Sequence, residues 1–381
     1  MKLLVTMLLF SIFLFSAEAK YLDNHSCNEC HEKIYEEFQS SYHSKGYFND
    51  KLHREIADKV SKKKYDCATC HMPMADNIKE LISGKARPNK SNKTHTDAIS
   101  CYFCHTIAYV KKSHRFNINT KSLQADGYKP TLYGRLNNPD ENDKHSSVKN
   151  PVYAKKVCMG CHSHKLNENN ITMFKAMSDK QDSLSCIECH MPEVDGGAEN
   201  MDKRARGHHT SHKFLGIHDK EMRSKSVDIN ISIEQHTLSI KIENKMDHPL
   251  IIQSARVKYL EIKLFRNGKE IWKNFDKHPS EDRDTYFASS YKKNGKKIII
   301  PATATEHNIL NNLDARDSKI FNYNIDEIDK ADKVEVSLYV KLAKDDCLKV
   351  TDIKDSSLNK PILMKRMEHT IKNENGKNIW K

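Results

Sequence analysis

Five copies of one pentad, Cys-x-x-Cys-His, constrain this chain more than any other feature. They stand at Cys27 to His31, Cys67 to His71, Cys101 to His105, Cys158 to His162 and Cys186 to His190. Ten of the eleven cysteines fall in them, leaving only Cys347. Two thiols two residues apart, followed at once by an imidazole, make the attachment pattern of a c-type haem. Cys27, Cys30, Cys67, Cys70, Cys101, Cys104, Cys158, Cys161, Cys186 and Cys189 then bind the vinyl groups. His31, His71, His105, His162 and His190 become the proximal iron ligands. Zinc ribbons and disulfide frameworks also use Cys-x-x-Cys, but neither calls for histidine after every second cysteine. The expected cofactor is haem c, five groups, each covalently bound.

His43 follows His31 by twelve residues. A continuous helix between them rises about 18 Å. Two axial nitrogens on one iron sit only about 4 Å apart, each near a metal–nitrogen distance of about 2 Å. His43 is therefore placed to serve a haem other than its own, which suggests several haems close enough to share ligands.

The first nineteen residues have a basic start at Lys2, an apolar run to Phe15 and a small-x-small ending at Ala17-Glu18-Ala19. That is the pattern of a secretory signal peptide, and the run is short for a membrane span of about 20 residues. The expected mature protein starts near Lys20 and is periplasmic and soluble, in keeping with haem attachment outside the bacterial cytoplasmic membrane. A formal charge of +12 raises nucleic acid or an acidic membrane as partners. The cofactors weaken that inference. Residues 20–220 hold 32 basic and 25 acidic residues, an excess of +7. Each ferric haem adds one net negative charge, which brings the loaded region near neutrality. No nucleic-acid partner is expected, and the membrane is reached only through partner proteins.

Residues 20–221 read as a multihaem domain, mostly helical or irregular, with its core made of porphyrin. Helices are expected over 32–43 and 50–64, and loops over 84–97 and most of 116–147. After about residue 222 the texture changes. Val227 to Ile233, Leu238 to Ile242, Val257 to Phe265 and Val334 to Leu342 alternate apolar and polar with the period of strands. Asn267-Gly268 and Asn294-Gly295 are hairpin turns. The expected class is α+β multidomain: residues 1–19 a signal peptide, 20–221 a haem-cored domain, and 222–381 an antiparallel β-sandwich.

Several stretches resemble the multihaem cytochromes c of the cytochrome c-554 type, in their exported versions with an immunoglobulin-like β domain after the haems. These are Cys27 to His43, His95 to His105, Leu132-Tyr-Gly134, His145-Ser-Ser through Cys158 to His162, Cys189 to Pro192, and Ser211-His212-Lys-Phe214. The resemblance implies that His43, His95, His145 and His212 are distal iron ligands. The fifth distal donor stays open among His53, His114, His208, His209, His218 and His248. Met72, Met74 and Met191 lie too near a proximal histidine to cross its haem. Family members usually carry a Gly-His-x-x-Pro-Thr-Gly-like turn after the second strand of the β domain. This chain has Lys245-Met-Asp247-His248-Pro249 there, keeping the histidine and losing the rest.

A haem held by two histidines has no open position, so its use is to pass electrons. The chain is read as a periplasmic electron-transfer cytochrome of anaerobic respiration, a carrier rather than a catalyst, with no candidate catalytic residues. Its expected partners are a quinol-oxidising membrane protein and a terminal redox enzyme. Two other readings stand beside it. One is an oxidoreductase acting on a small nitrogen or sulfur compound at one open haem. The other is a docking subunit of a multihaem complex.

Overall fold

The computed structural model describes residues 22–111, 116–120, 129–140, 142–176, 186–198, 206–374 and 377–380. The signal-like segment and His114 lie outside them.

The pentads fold as single helical turns. The amides of His31, His71 and His162 each donate to the carbonyl of the first cysteine of their own pentad at 2.9 Å. This bond sets each histidine one turn along from that cysteine, so thiol and imidazole project to the same side. At Gly160, between Cys158 and Cys161, a Cβ would lie 1.8 Å from Asn117 Oδ1 and 2.8 Å from its backbone nitrogen. Only glycine fits there.

Between the pentads runs little regular structure. The helix expected over 32–43 forms as Glu32–Ser40 (α1), and stops where Ser41 turns extended at φ −83° and ψ 162°. His43 thereby leaves the helix axis. The second forms as Lys51–Val60 (α2), whose first turn is capped by Asp50 Oδ1 accepting from the His53 amide at 3.0 Å. The stretch 84–97, expected as loop, contains one helical turn at Lys93–Thr96, with Asn92 as its cap. Among the described residues of 116–149 there are three short strands. Two of them, Thr131–Gly134 and Ser146–Lys149, pair in parallel.

The apolar clusters in this half are small. One gathers Tyr47, Ala57, Tyr65, Ala68, Met72, Ala75 and Leu81; another centres on Phe103, Ile107 and Tyr153. Beside them lies a cavity of about 3210 Å³. A typical small-molecule pocket is about 300–1,000 Å³, so this space is several times too large for a single ligand.

From residue 227 on, the chain builds antiparallel sheets. The strands are Val227–Glu234 (β1), Thr237–Asn244 (β2), Val257–Arg266 (β3), Lys269–Lys273 (β4), Tyr286–Lys293 (β5) and Lys296–Ile298 (β6). They continue with Glu306–Asn311 (β7), Ser318–Asn324 (β8), Lys333–Lys341 (β9), Ile362–Glu374 (β10) and Lys377–Trp380 (β11). One sheet has the order β8-β2-β1; the other runs β6-β5-β3-β9-β10-β11, with β4 on β3 and β7 on β5. Asn267-Gly268 and Asn294-Gly295 take φ values of 51°, 75°, 49° and 76°, the left-handed pairs that two-residue hairpins need. Along β2, Leu238, Ile240 and Ile242 are fully buried while their neighbours are not. They meet Leu260, Ile262 and Leu264 of β3 and Val334, Val336, Leu338 and Val340 of β9 in one core. Each such side chain contributes about 1.5–3 kcal/mol on burial.

Contacts tie the two halves together. Asn167 Nδ2 donates to the carbonyls of Pro301 and Ala304, both at 2.8 Å. Leu52 of α2 packs on the cluster around Leu348, in the helix Asp345–Thr351 (α3). Cys347 is buried in the same helix. Among the described residues no helix is long and apolar enough to cross a membrane.

These cores differ in what they depend on. A fragment spanning 222–381 should fold alone, with a β-type circular dichroism spectrum and a cooperative thermal transition. Ile240→Ala in it should cost about 2–5 kcal/mol in denaturant unfolding. A fragment without a cooperative transition would show that the sheets need the first half to fold.

Candidate haem-binding site

All ten pentad cysteines line the 3210 Å³ cavity, together with His31, His71, His105, His162 and His190. None of the ten is in a disulfide. Their thiols stand where thioether sulfurs would be in a protein carrying haem c. Three pairs of thiols from different pentads touch. The Cys101 thiol lies against Cys27, Cys161 against Cys70 and Cys158 against Cys186, and in each pair the neighbouring thiol raises the first-named one. The Cys104 thiol also bears on Cys158 and Cys161. The first pentad therefore adjoins the third, the third adjoins the fourth, and the fourth adjoins both the second and the fifth. The fourth is the junction.

Across the cavity, four of the five pentad histidines face a second histidine at nearly the same separation. Ring centroids of His31 and His145 are 6.2 Å apart, those of His105 and His212 6.2 Å, those of His190 and His248 6.3 Å, and those of His162 and His43 5.9 Å. Two metal–nitrogen bonds of about 2.0–2.1 Å, plus roughly 1.1 Å from each nitrogen to its ring centre, come to about 6.3 Å. Face-to-face packing of two free rings would bring them closer. Among the described residues no group of three or more His, Cys, Asp or Glu is arranged to hold a metal ion. The donors come in twos, as a metal already held in a plane requires.

The tautomers suit this use. The Nδ1 atoms of His105, His190, His212 and His248 lie 2.7, 2.5, 2.8 and 2.9 Å from the carbonyls of Tyr133, Leu215, Thr210 and Pro249. A carbonyl only accepts, so each Nδ1 carries the proton and each Nε2 keeps a lone pair for the cavity. Burial favours the neutral form of His105, His212 and His248. It is the main cause that lowers His43 to about 3 and His162, His212 and His248 to about 4. The charges of His162, His71 and His190 lower His43 further, which places it among three pentads at once.

The remaining pentad histidine, that of the second pentad, is different. His71 is stacked face to face on His53, centroids 3.7 Å apart and planes 13° from parallel, and His53 Nε2 is 2.8 Å from the Tyr65 hydroxyl. That spacing leaves no room for a metal between the rings.

The structure does not support the expectation for His95. Its Nδ1 accepts from the Asn89 amide at 3.0 Å and its Nε2 is 2.8 Å from Asn77 Oδ1. It is 2 % exposed and is not among the cavity-lining residues. Both ring nitrogens are engaged in holding the 77–95 loop. Of the candidates left open, His248 and His53 face pentad histidines. His209 has its ring nitrogens 2.8 Å from the Gly196 carbonyl and 3.3 Å from Glu37 Oε1. His208 pairs with Asp195, and His218 stacks on Tyr42. Met72 is fully buried in the Tyr47–Leu81 cluster.

Glu37 has no signal in the sequence. Its carboxylate is buried beside the segment that follows the strand His208–Thr210, accepting from the His212 amide at 2.7 Å. It fixes the backbone from which that ring reaches the cavity.

The sequence profile of the family described as cytochrome c554 and c-prime matches residues 26–106. A penta-haem cytochrome c552 from Thermochromatium tepidum has a similar fold, with a TM-score of 0.70 at 21% identity over 93% of this chain and 97% of that one. No match was found among curated proteins. The chain thus has the fold of a multihaem cytochrome c and carries the c554 pattern over its first three pentads.

His95→Ala should cost about 1–3 kcal/mol by leaving Asn77 and Asn89 unpaired in a buried loop. The visible spectrum of the purified protein should not change. A shift of one haem to high spin would make His95 a ligand.

Proposed function

We propose that this chain is an exported, periplasmic cytochrome that transfers electrons through five covalently attached haems. The observation that carries this reading is the set of four histidine pairs, 5.9–6.3 Å apart, on a cavity lined by all ten pentad cysteines. When bound, haem c supplies a one-electron couple at iron. The chain's own residues decide what that couple is used for. His31 with His145, His105 with His212, His162 with His43, and His190 with His248 saturate both faces of four sites. Burial keeps His43, His162, His212 and His248 neutral, and carbonyls fix the tautomers of His105, His190, His212 and His248.

His248 comes from the turn after β2, so the β-sandwich expected over 222–381 closes the fifth pentad's site. The contacts between cysteines support an array ordered first–third–fourth, branching at the fourth to the second and the fifth. A branched array has three ends, and a quinol-oxidising protein and a terminal redox enzyme are proposed to dock at two of them.

The 3.7 Å stack of His53 on His71 favours a second reading for one site. With His53 held by Tyr65, the second pentad's haem is open on its far face and accessible to a small ligand. Catalysis needs more than an open face. Within this reading turnover of nitrite, hydroxylamine or sulfite stays negligible, because the groups beside His71 are already engaged: His53 with Tyr65, and Asp50 as the cap of α2.

Mass spectrometry of the denatured exported protein should show the chain from near Lys20 plus five haem masses. Four or fewer after full maturation would overturn the count. Gly in place of His43, His145, His212 or His248 should each convert one haem from low to high spin without loss of attachment, read by electron paramagnetic resonance. No change in any of the four would remove the ligand assignment. Wild-type protein with one high-spin haem that binds carbon monoxide when reduced supports the open second site; five low-spin haems mean that His53 ligates after all.

A further inference from the structure

The cavity wall formed by the C-terminal sheets carries two cations with no anion. Lys258, at the start of β3, is 6 % exposed, and its Nζ donates to the Leu250 carbonyl at 2.6 Å. Arg256 lies two residues earlier and lines the same cavity. Neither enters a salt bridge among the described residues. Burial, then the charge of Arg256, pushes Lys258 down to about 7, and burial lowers Arg256 as well. The groups facing them offer little compensation. Asp50 and the Tyr42 hydroxyl bear on Arg256 from the first half of the chain. Tyr42 is already stacked on His218, 4.4 Å and 7° from parallel, with Lys45 Nζ 3.7 Å from its ring centre. Lys45 and Arg223 add further positive charge beside His218.

Burying cations without an anion is expensive, and it is relieved by an ion pair with satisfied hydrogen bonds. The sheets behind Lys258 provide a carbonyl but no carboxylate. Of the two cations Asp50 bears on Arg256 alone, so an anion for Lys258 must come from the cavity side. Lys258 also bears on His248, the ring facing His190. On the reading given above, that side holds a group with two carboxylates of its own. We infer that Arg256 and Lys258 form an anion site for a propionate carboxylate of the haem enclosed by His190 and His248. Through it the C-terminal sheets set that haem's potential. This inference rests on the haem reading and adds a role for the sheets. A soluble oxyanion has the same chemistry, and the test separates the two.

Lys258→Met, Arg256→Gln and the conservative Lys258→Arg are made in the full-length, exported protein. Haems are counted by mass and midpoints measured by redox titration of the visible spectrum. A cation near the iron favours the reduced form, so its loss lowers the potential. With five haems present, one midpoint should fall by about tenfold in its equilibrium constant, about 59 mV for one electron. Lys258→Arg should restore most of it, and the component that moves should be the one altered by His248→Met. Five haems with all midpoints unchanged in both neutral variants would overturn the inference. So would a wild-type midpoint that depends on added sulfate at constant ionic strength, which identifies a soluble anion as the occupant. If Lys258→Met does not accumulate, Arg256→Gln carries the same expectation, since Arg256 lines the same cavity. Wild-type protein lacking haem at Cys186 and Cys189 would overturn the underlying reading, and the mass shows that independently of any midpoint.

Discussion

Two neutral imidazoles held about 6 Å apart, with nothing of the chain between them, are the arrangement on which the first half of this protein depends. Imidazole rings in a collapsed core would pack at contact distance, as His53 and His71 do. In two of the four pairs both rings are tied from behind. Backbone carbonyls hold the Nδ1 atoms of His105, His190, His212 and His248, and Glu37 holds the His212 amide. The walls are thus built to a spacing that the chain itself does not fill. The apolar clusters around Tyr65 and Phe103 are too small to replace what belongs in that space. On the proposed reading the first half is a shell around its cofactors, and its stability is bound up with theirs.

The C-terminal sheets obey the opposite logic. Their core closes on itself, from Val227 to Met364, with side chains of alternating burial. Such a body can afford loops and strand ends that serve the neighbouring shell. It presents His248 to His190 and aims Arg256 and Lys258 at the cavity. A buried lysine is tolerable on a rigid strand, whose partners at Phe287 and Val340 fix its position. In a loosely built shell the same charge would turn outward to water.

How much of this could be read from the residues alone follows from chain distance. A pentad is five residues long, and one helical turn places thiols and imidazole together, so the attachment sites and proximal ligands are local. Strand alternation is local too, which is why β2 and β9 and the two Asn-Gly turns were legible. The facing rings are not. His31 meets His145, His105 meets His212, and His190 meets His248 across 114, 107 and 58 residues of chain. No periodicity spans such gaps. Resemblance pointed to His145 and His212 as ligands without naming the ring each faces, and it pointed equally to His95, whose surroundings are made by Asn77 and Asn89.

The sequence by itself determined the chemistry: ten thiols and five imidazoles in a pattern with one use, and a second half of alternating strands. Only the tertiary structure decided the geometry: which histidine faces which, that the fourth pentad is the junction, that His71 meets His53 at stacking distance, and that two cations of the sheets open on the cavity. The reason is physical. Bond-forming groups a turn apart are set by backbone geometry, whereas rings and charges brought together from distant segments are set by how the shell and the sheets pack.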